Sequence, residues 1–336
     1  MRSAATGRVV VITGASAGLG RALARAFARR GDRVVMLARG RDGLLEAERE
    51  ARAAGAEALW LGCDVAEPAA VEAAAQAAQD RWGAIDVWIN NAMVSVLSPA
   101  AEMTPEEFRR VLEVNFLGTV HGTLAALRRM RPRGRGTIIQ IGTALAYRSI
   151  PLQSAYCASK AAIRAFTDSV RSELYHDHAG VHLCMAQLPA INTPQFEWVR
   201  TRMPRAPRPI PPIYAPEVVA NAIVHLSLHP RREVWIGGSA VRAILGQKVV
   251  GPLLDRLLAR RGYTGQQGEA PVPFHRPDNL FHPLQGDRGA HGPYLALERR
   301  HSAQAWLDLH RGQVAAVAGV VAGGLALGAL RARGRA

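Results

Sequence analysis

Up to about residue 240 the chain alternates short apolar runs, rich in β-branched residues, with helix-length segments of Ala, Leu and Arg. The runs RVVVIT (8–13), RVVMLA (33–38), ALWLGCD (58–64), IDVWIN (85–90), GTIIQIG (136–142) and VHLCMAQL (181–188) predict strands. Their near-continuous apolar character is what a parallel sheet buried on both faces requires. Helices are expected over about 19–30, 42–54, 68–81, 105–130, 154–177 and 216–228, with a further strand at EVWIG (233–237). Thr104-Pro105-Glu106-Glu107 marks one helix start, with an N-cap, a proline at the first helical position and a capping-box glutamate. This alternation predicts an α/β fold: a doubly wound parallel sheet with helices on both faces and ligands at the carboxyl ends of the strands.

Beyond residue 264 the pattern breaks. TGQQGEAPVPFHRPDNLFHPLQGDRGAHGPY reads as a long irregular arm rich in Gly, Pro and His, followed by a helical LALERRHSAQAWLDLHR. Residues 314–330, VAAVAGVVAGGLALGAL, are uncharged and would reach about 25 Å as a helix. Two readings of them stay open: a membrane anchor with GxxxG helix-pairing faces, or a low-complexity Ala/Gly helix that packs on a partner or is disordered. The expected organisation is a catalytic domain over 1–263, an arm and helix over 264–312, and a candidate anchor with a basic tail over 313–336.

Charge adds little to this picture. The net charge of +15 comes from arginines scattered along the chain, with no long basic run and no interleaved aromatic platform, so no nucleic-acid partner is expected. Cys63, Cys157 and Cys184 show no metal-binding or pairing pattern; no metal is expected, and a reducing compartment on the cytoplasmic side is, membrane-associated if 314–330 is an anchor. The first strand follows the amino terminus so closely that no signal peptide is expected.

Candidate chemistry concentrates at the predicted strand ends. Thr13-Gly14-Ala15-Ser16-Ala17-Gly18-Leu19-Gly20 sits between the first strand and the first helix, where glycines let a pyrophosphate approach backbone N–H groups. The second strand ends in Ala38-Arg39, without the carboxylate that would bind a ribose 2′-hydroxyl; an arginine there suits a 2′-phosphate, so NADP(H) is favoured over NAD(H). Asp64-Val65 and Asn90-Asn91-Ala92 follow at the next two strand ends and suit the adenine edge or ribose, or serve as turn residues. Tyr156 and Lys160 lie four residues apart on one helical face. Lys160 is one of only two lysines among 42 basic residues. A nearby ammonium favours a phenolate and lowers its pKa.

Together Thr13-Gly-x-x-x-Gly-x-Gly20, Asp64-Val65, Asn90-Asn91-Ala92, Asn115 and Tyr156-x-x-x-Lys160 resemble the short-chain dehydrogenase/reductase superfamily, in its short single-domain branch, over residues 8 to about 240. The resemblance implies a Rossmann-type fold and a nicotinamide cofactor held by Thr13, Gly14, Ser16, Gly18, Leu19, Gly20, Arg39, Asp64, Val65, Asn91, Ala92, Tyr156, Lys160 and Thr193. It implies Tyr156 as the general acid/base, Lys160 as the group that lowers its pKa and binds the nicotinamide ribose, and Asn115 as the holder of a relay water. Thr143 stands where the family has a catalytic serine, Met93 and Ala190 where it usually has glycines, and Thr193 resembles the threonine that touches the nicotinamide carboxamide. The expected activity is reduction of a ketone or aldehyde, or the reverse alcohol oxidation, on a partly apolar small molecule by a homodimer or homotetramer. A sensor or scaffold that binds the cofactor with little turnover is the alternative. Over 192–214, Phe196, Trp198 and Met203 are candidate pocket walls, and Arg200, Arg202, Arg205 and Arg208 candidate anchors for an anionic handle, against a plain basic flap.

Overall fold

The computed structural model of the protein describes residues 7–273, 275–314 and 316. Seven strands, β1 (Val9–Thr13), β2 (Arg33–Ala38), β3 (Ala58–Gly62), β4 (Val87–Asn90), β5 (Gly136–Thr143), β6 (Val181–Leu188) and β7 (Glu233–Trp235), form one sheet in the order β7-β6-β5-β4-β1-β2-β3. Every pairing is parallel, with register such as Ile12 opposite Met36 and Val10 opposite Val87. The helices of seven residues or more are α1 (Gly18–Ala28), α2 (Arg41–Ala53), α3 (Pro68–Trp82), α4 (Pro105–Leu112), α5 (Gly118–Met130), α6 (Ser154–His176), α7 (Pro216–Leu228), α8 (Gly238–Gly265) and α9 (Ala303–Leu309).

The unbroken apolar runs follow from this layering. Successive strand side chains point to opposite faces. Val10 and Ile12 pack with Leu23 and Phe27 of α1, Leu44 of α2 and Val219 of α7. Val9 and Val11 pack with Val71 of α3, Ala126 of α5 and Val170 of α6 on the other side. A polar residue on either face of β1 would be desolvated without a partner.

Two elements differ from the sequence reading. The helix expected over 105–130 is two helices joined by a π turn at Glu113–Leu117, which contains Asn115. Its start is as expected: Thr104 and Glu107 exchange hydrogen bonds at 3.0 and 3.3 Å. The helix expected from 295 onward is a short 3-10 turn, then an extended pair Glu298–Arg299, and only then α9. Glu298–Arg299 is drawn into strand pairing beside Ile213–Tyr214, and Ser302 then caps α9 by accepting the Ala305 N–H at 3.1 Å. Strand pairing and the cap together override helix propensity.

The arm is irregular, as its composition predicts, yet it is tied to the sheet domain. Gln267–Pro271 pairs with Arg205–Pro207, while Leu280 and Ala290 are buried in the cores on opposite faces of the sheet. Among the described residues no helix is long and apolar enough to cross a membrane. The anchor reading of 314–330 falls, from 317 onward, outside the described residues.

Candidate functional site

The strand order reverses at β1, which lies between β2 and β4, and the crevice at that switch point is where a doubly wound sheet binds ligands. A cleft of about 630 Å³ opens there, running from Arg39 past the glycine loop to Tyr156. Two glycines make the loop feasible. Gly14 has φ +67°, and a Cβ there would lie 2.8 Å from Ala92 Cα. A Cβ on Gly20 would lie 2.1 Å from the Gly14 carbonyl oxygen, so α1 can approach the loop only with glycine at that position. Helix α1 starts at Ala17 without a side-chain cap and without an acid in its first turn. Its positive end is therefore suited to an anion. These features fit a dinucleotide pyrophosphate.

Thr13 and Asn91 build the floor of this site. The Thr13 hydroxyl accepts the Asn91 and Ala92 N–H groups at 2.9 and 3.0 Å, and Asn91 Nδ2 donates to the Thr13 carbonyl at 2.8 Å. Thr13 thus acts from behind the wall, whereas Gly14, Ser16, Gly18, Leu19, Gly20, Val65, Asn91 and Ala92 line the cleft. Asn90 is turned away into a buried network with Trp88, Thr123 and Gln140.

At the far end, the Arg39 guanidinium donates to the carbonyls of Asn279, Leu280 and Phe281 in the arm. Asp64 is paired with Arg110 and accepts the Ala66 N–H at 3.0 Å. Burial works to raise the Asp64 carboxyl, but these bonds outweigh it and hold it below the usual carboxylate range. The arm continues across the loop: Gly286 N–H donates to Asp42 at 2.7 Å, Gly18 N–H donates to the Gly289 carbonyl at 2.9 Å, and Gly292 N–H donates to the Asn192 carbonyl at 3.2 Å. Arg21, fully buried, ties the parts together through Glu50 at 2.7 Å, the Gly43 carbonyl at 2.7 Å and Asp287 at 3.1 Å. Sequence reasoning missed Arg21, Arg110 and the arm, because their partners lie up to 266 residues away with no local signal.

At the other end, Tyr156 and Lys160 project from α6 into the cleft beside Thr143 at the end of β5. The Thr143 hydroxyl lines the cleft with the Tyr156 phenol and accepts the Leu145 N–H at 3.3 Å. Lys160 Nζ donates to the Ile141 carbonyl at 2.7 Å and lies 5.8 Å from the Tyr156 ring centre. Burial pushes the phenol above its ordinary value, with only the neighbouring Thr143 hydroxyl opposing, and burial lowers Lys160 to about 8. The Lys160 ammonium is turned to a backbone carbonyl, and burial is the largest influence on both groups.

Asn115 lies within the π turn. Its amide is spent within the protein: Oδ1 accepts Val94 N–H at 2.8 Å, and Nδ2 donates to the Val94 carbonyl and the Ser159 hydroxyl at 3.0 and 3.1 Å. The side chain braces the π turn against α6 instead of facing the cleft. Met93 and Ala190 keep ordinary backbone; among the described non-glycine residues only Leu152 and His178 have positive φ. Thr193 lines the cleft with its side chain 3.3 Å from where a Gly18 Cβ would stand.

The substrate side is narrower in candidates than the sequence suggested. Phe196 and Trp198 line the cleft, whereas Met203 is buried with Leu97 and Leu152 away from it. Arg200 and Arg202 are committed to Glu107, and Arg200 also to Asp278. Of the four arginines only Arg208 lines the cleft. Ala240, Ala243, Leu254 and Leu258 of α8 add apolar side chains to the cleft lining.

Comparison with known proteins agrees with this geometry. Residues 8–203 match the short chain dehydrogenase family. An uncharacterized oxidoreductase of Bacillus subtilis, YxnA, is 35% identical over 266 residues, covering 79% of this chain and 75% of that protein. An alcohol dehydrogenase from the archaeon Thermococcus sibiricus, solved with 5-hydroxy-NADP, superposes with a TM-score of 0.60 at 28% identity over 68% of this chain and 95% of that one. An NAD+-bound xylitol dehydrogenase superposes with a TM-score of 0.54 at 28% identity over 56% and 72% of the two chains. With a sheet switch point, a glycine cradle and a Tyr/Lys pair in one cleft, the chain belongs to the short-chain dehydrogenase/reductase family and is an oxidoreductase of the NAD(P)-dependent kind.

Proposed function

We propose that the protein is an NADP(H)-dependent carbonyl reductase or alcohol dehydrogenase, interconverting a ketone or aldehyde and its alcohol on a partly apolar substrate. The observation that carries this reading is the convergence of Tyr156, Lys160 and Thr143 in a cleft continuous with the glycine cradle. The cofactor, when bound, supplies or accepts the hydride. Gly14, Ser16, Gly18, Leu19 and Gly20 would hold its pyrophosphate, Asp64, Val65, Asn91 and Ala92 its adenosine, and Lys160 and Thr193 its nicotinamide half. Preference for NADP(H) rests on the missing acid after β2 and on the charge of Arg39, whose arm carbonyls engage three of its five donors.

In reduction Tyr156 donates its phenolic proton to the substrate oxygen, while Thr143 orients that oxygen with its hydroxyl. The raised phenol pKa keeps the acid form present at neutral pH. Lys160 holds ribose hydroxyls, and Asn115 positions α6 through Ser159. The apolar wall from Phe196, Trp198 and α8 selects an apolar body, and Arg208 is placed to meet a polar or anionic end. Oxidation of NADPH and NADH against a panel of ketones, aldehydes and acyl-carrier substrates tests the proposal. Tyr156→Phe is expected to lower turnover by roughly 10²- to 10⁴-fold with cofactor binding retained. Turnover unchanged by that substitution would overturn the mechanism, and cofactor binding without turnover on any substrate would favour a sensor.

A further inference from the structure

Helix α8 is apolar toward two environments at once. Ala240 and Ile244 are buried, and Ala243, Leu254 and Leu258 line the cleft. Toward solvent, Leu245, Val249, Leu253 and Leu257 recur every four residues and are 48, 82, 63 and 42% exposed. Val250, at the kink before Pro252, is 40% exposed beside them. Four-residue spacing puts Leu245 and Val249 on one face before the kink at Val250, and Leu253 and Leu257 on one face after it. Five exposed aliphatic side chains within thirteen residues of one segment mark an interaction surface.

The charges around this surface identify its partner. Arg242, Lys248, Arg256, Arg260 and Arg261 are exposed along the same helix. Its one acid, Asp255, is taken by Arg148 at 2.6 Å. A second copy of the chain meeting this surface about a two-fold axis would bring both sets of cations together, which disfavours self-association through it. An anionic lipid surface accepts both features. Aliphatic side chains of an interfacial helix enter the headgroup and acyl boundary by about 5–10 Å, and each nearby cation adds about 1 kcal/mol.

We infer that α8 docks this protein onto the surface of an anionic bilayer through Leu245, Val249, Leu253 and Leu257, ringed by its basic side chains. The docked helix is the one whose Leu254 and Leu258 wall the cleft, so the bilayer lies beside the route to the site. This is a peripheral contact of the described fold, separate from 314–330 and independent of turnover.

The native cysteines are all buried, so a single environment-sensitive fluorophore can report from Val249→Cys in the full chain. Vesicles of phosphatidylcholine mixed with phosphatidylglycerol are expected to raise and blue-shift its emission. Pure phosphatidylcholine vesicles should bind more than about tenfold more weakly, and added salt should weaken the anionic case. Adding Leu245→Glu and Leu253→Glu should abolish the response while NADPH binding and melting temperature stay unchanged. An unchanged emission with anionic vesicles would overturn the inference. So would an emission change that depends on protein concentration without lipid, which would make the surface a contact between copies, or a response that survives the two glutamates.

Discussion

Lys160 is 3% exposed, and its Nζ donates to the Ile141 carbonyl. Its ordinary pKa is about 10.4, and burial brings it to about 8. Between those values the unfolded chain binds the proton and the folded chain does not, so this group's contribution to stability rises with pH through that window. Below about 8 the ammonium is present in the folded protein, and above it the amine is neutral. If the ammonium holds the cofactor, kcat/KM for NADPH should be flat up to about 8 and fall by about tenfold per pH unit beyond. Lys160→Arg keeps its charge throughout, and should lower the rate while removing that alkaline limb. A wild-type profile flat to high pH, or a limb retained in the variant, would contradict the assignment. The rarity of lysine in the sequence pointed to this residue, but its direction of aim did not show, because a carbonyl 19 residues away claims the Nζ.

At the scale of elements, the strands were legible because both faces of β1 and its neighbours are buried and every residue must be apolar. The π turn at Glu113–Leu117 was not, since a single added residue in a helical turn leaves composition and periodicity almost unchanged. The glycine loop was legible from its place between strand and helix, and its closeness has a measurable cost. Gly20→Ala sets a Cβ against the Gly14 carbonyl at 2.1 Å and Asn91 Nδ2 at 2.8 Å, both fixed parts of the fold. Relief requires α1 to move from β1, at about 1–3 kcal/mol. The expected outcome is a melting temperature lower by several degrees and NADPH affinity reduced at least about tenfold. Calorimetry and fluorescence titration would check both, and retention of full affinity would show that α1 does not set the pyrophosphate site.

Across the whole molecule, what stayed hidden was long-range pairing. Arg39, expected to face a phosphate, also reaches Asn279, Leu280 and Phe281, and Arg200 and Arg202 close on Glu107 more than 90 residues before them. In a chain so rich in arginine, nothing local separates a structural guanidinium from a binding one. The candidate site is therefore assembled from both ends of the sequence, and its core motifs alone describe only one wall.

The stretch between Leu280 and Ala290 has a consequence in time as well as in space. Both ends are buried, while 281–283 and 285–288 between them are exposed, with Gly286 bonded to Asp42 of α2 and Asp287 to Arg21 of α1. Several of these residues line the cleft, so a dinucleotide bound beneath the span would leave only when the span lifts, and those few bonds would help set its residence time. Asp42→Ala with Asp287→Ala should shorten that residence about tenfold in stopped-flow NADPH displacement, the equivalent of about 1.4 kcal/mol. An unchanged off-rate would mean the span does not control exit. With slow exit, cofactor exchange would pace the catalytic cycle, and a substrate able to turn the cofactor over in place would be processed faster than one that waits for its replacement.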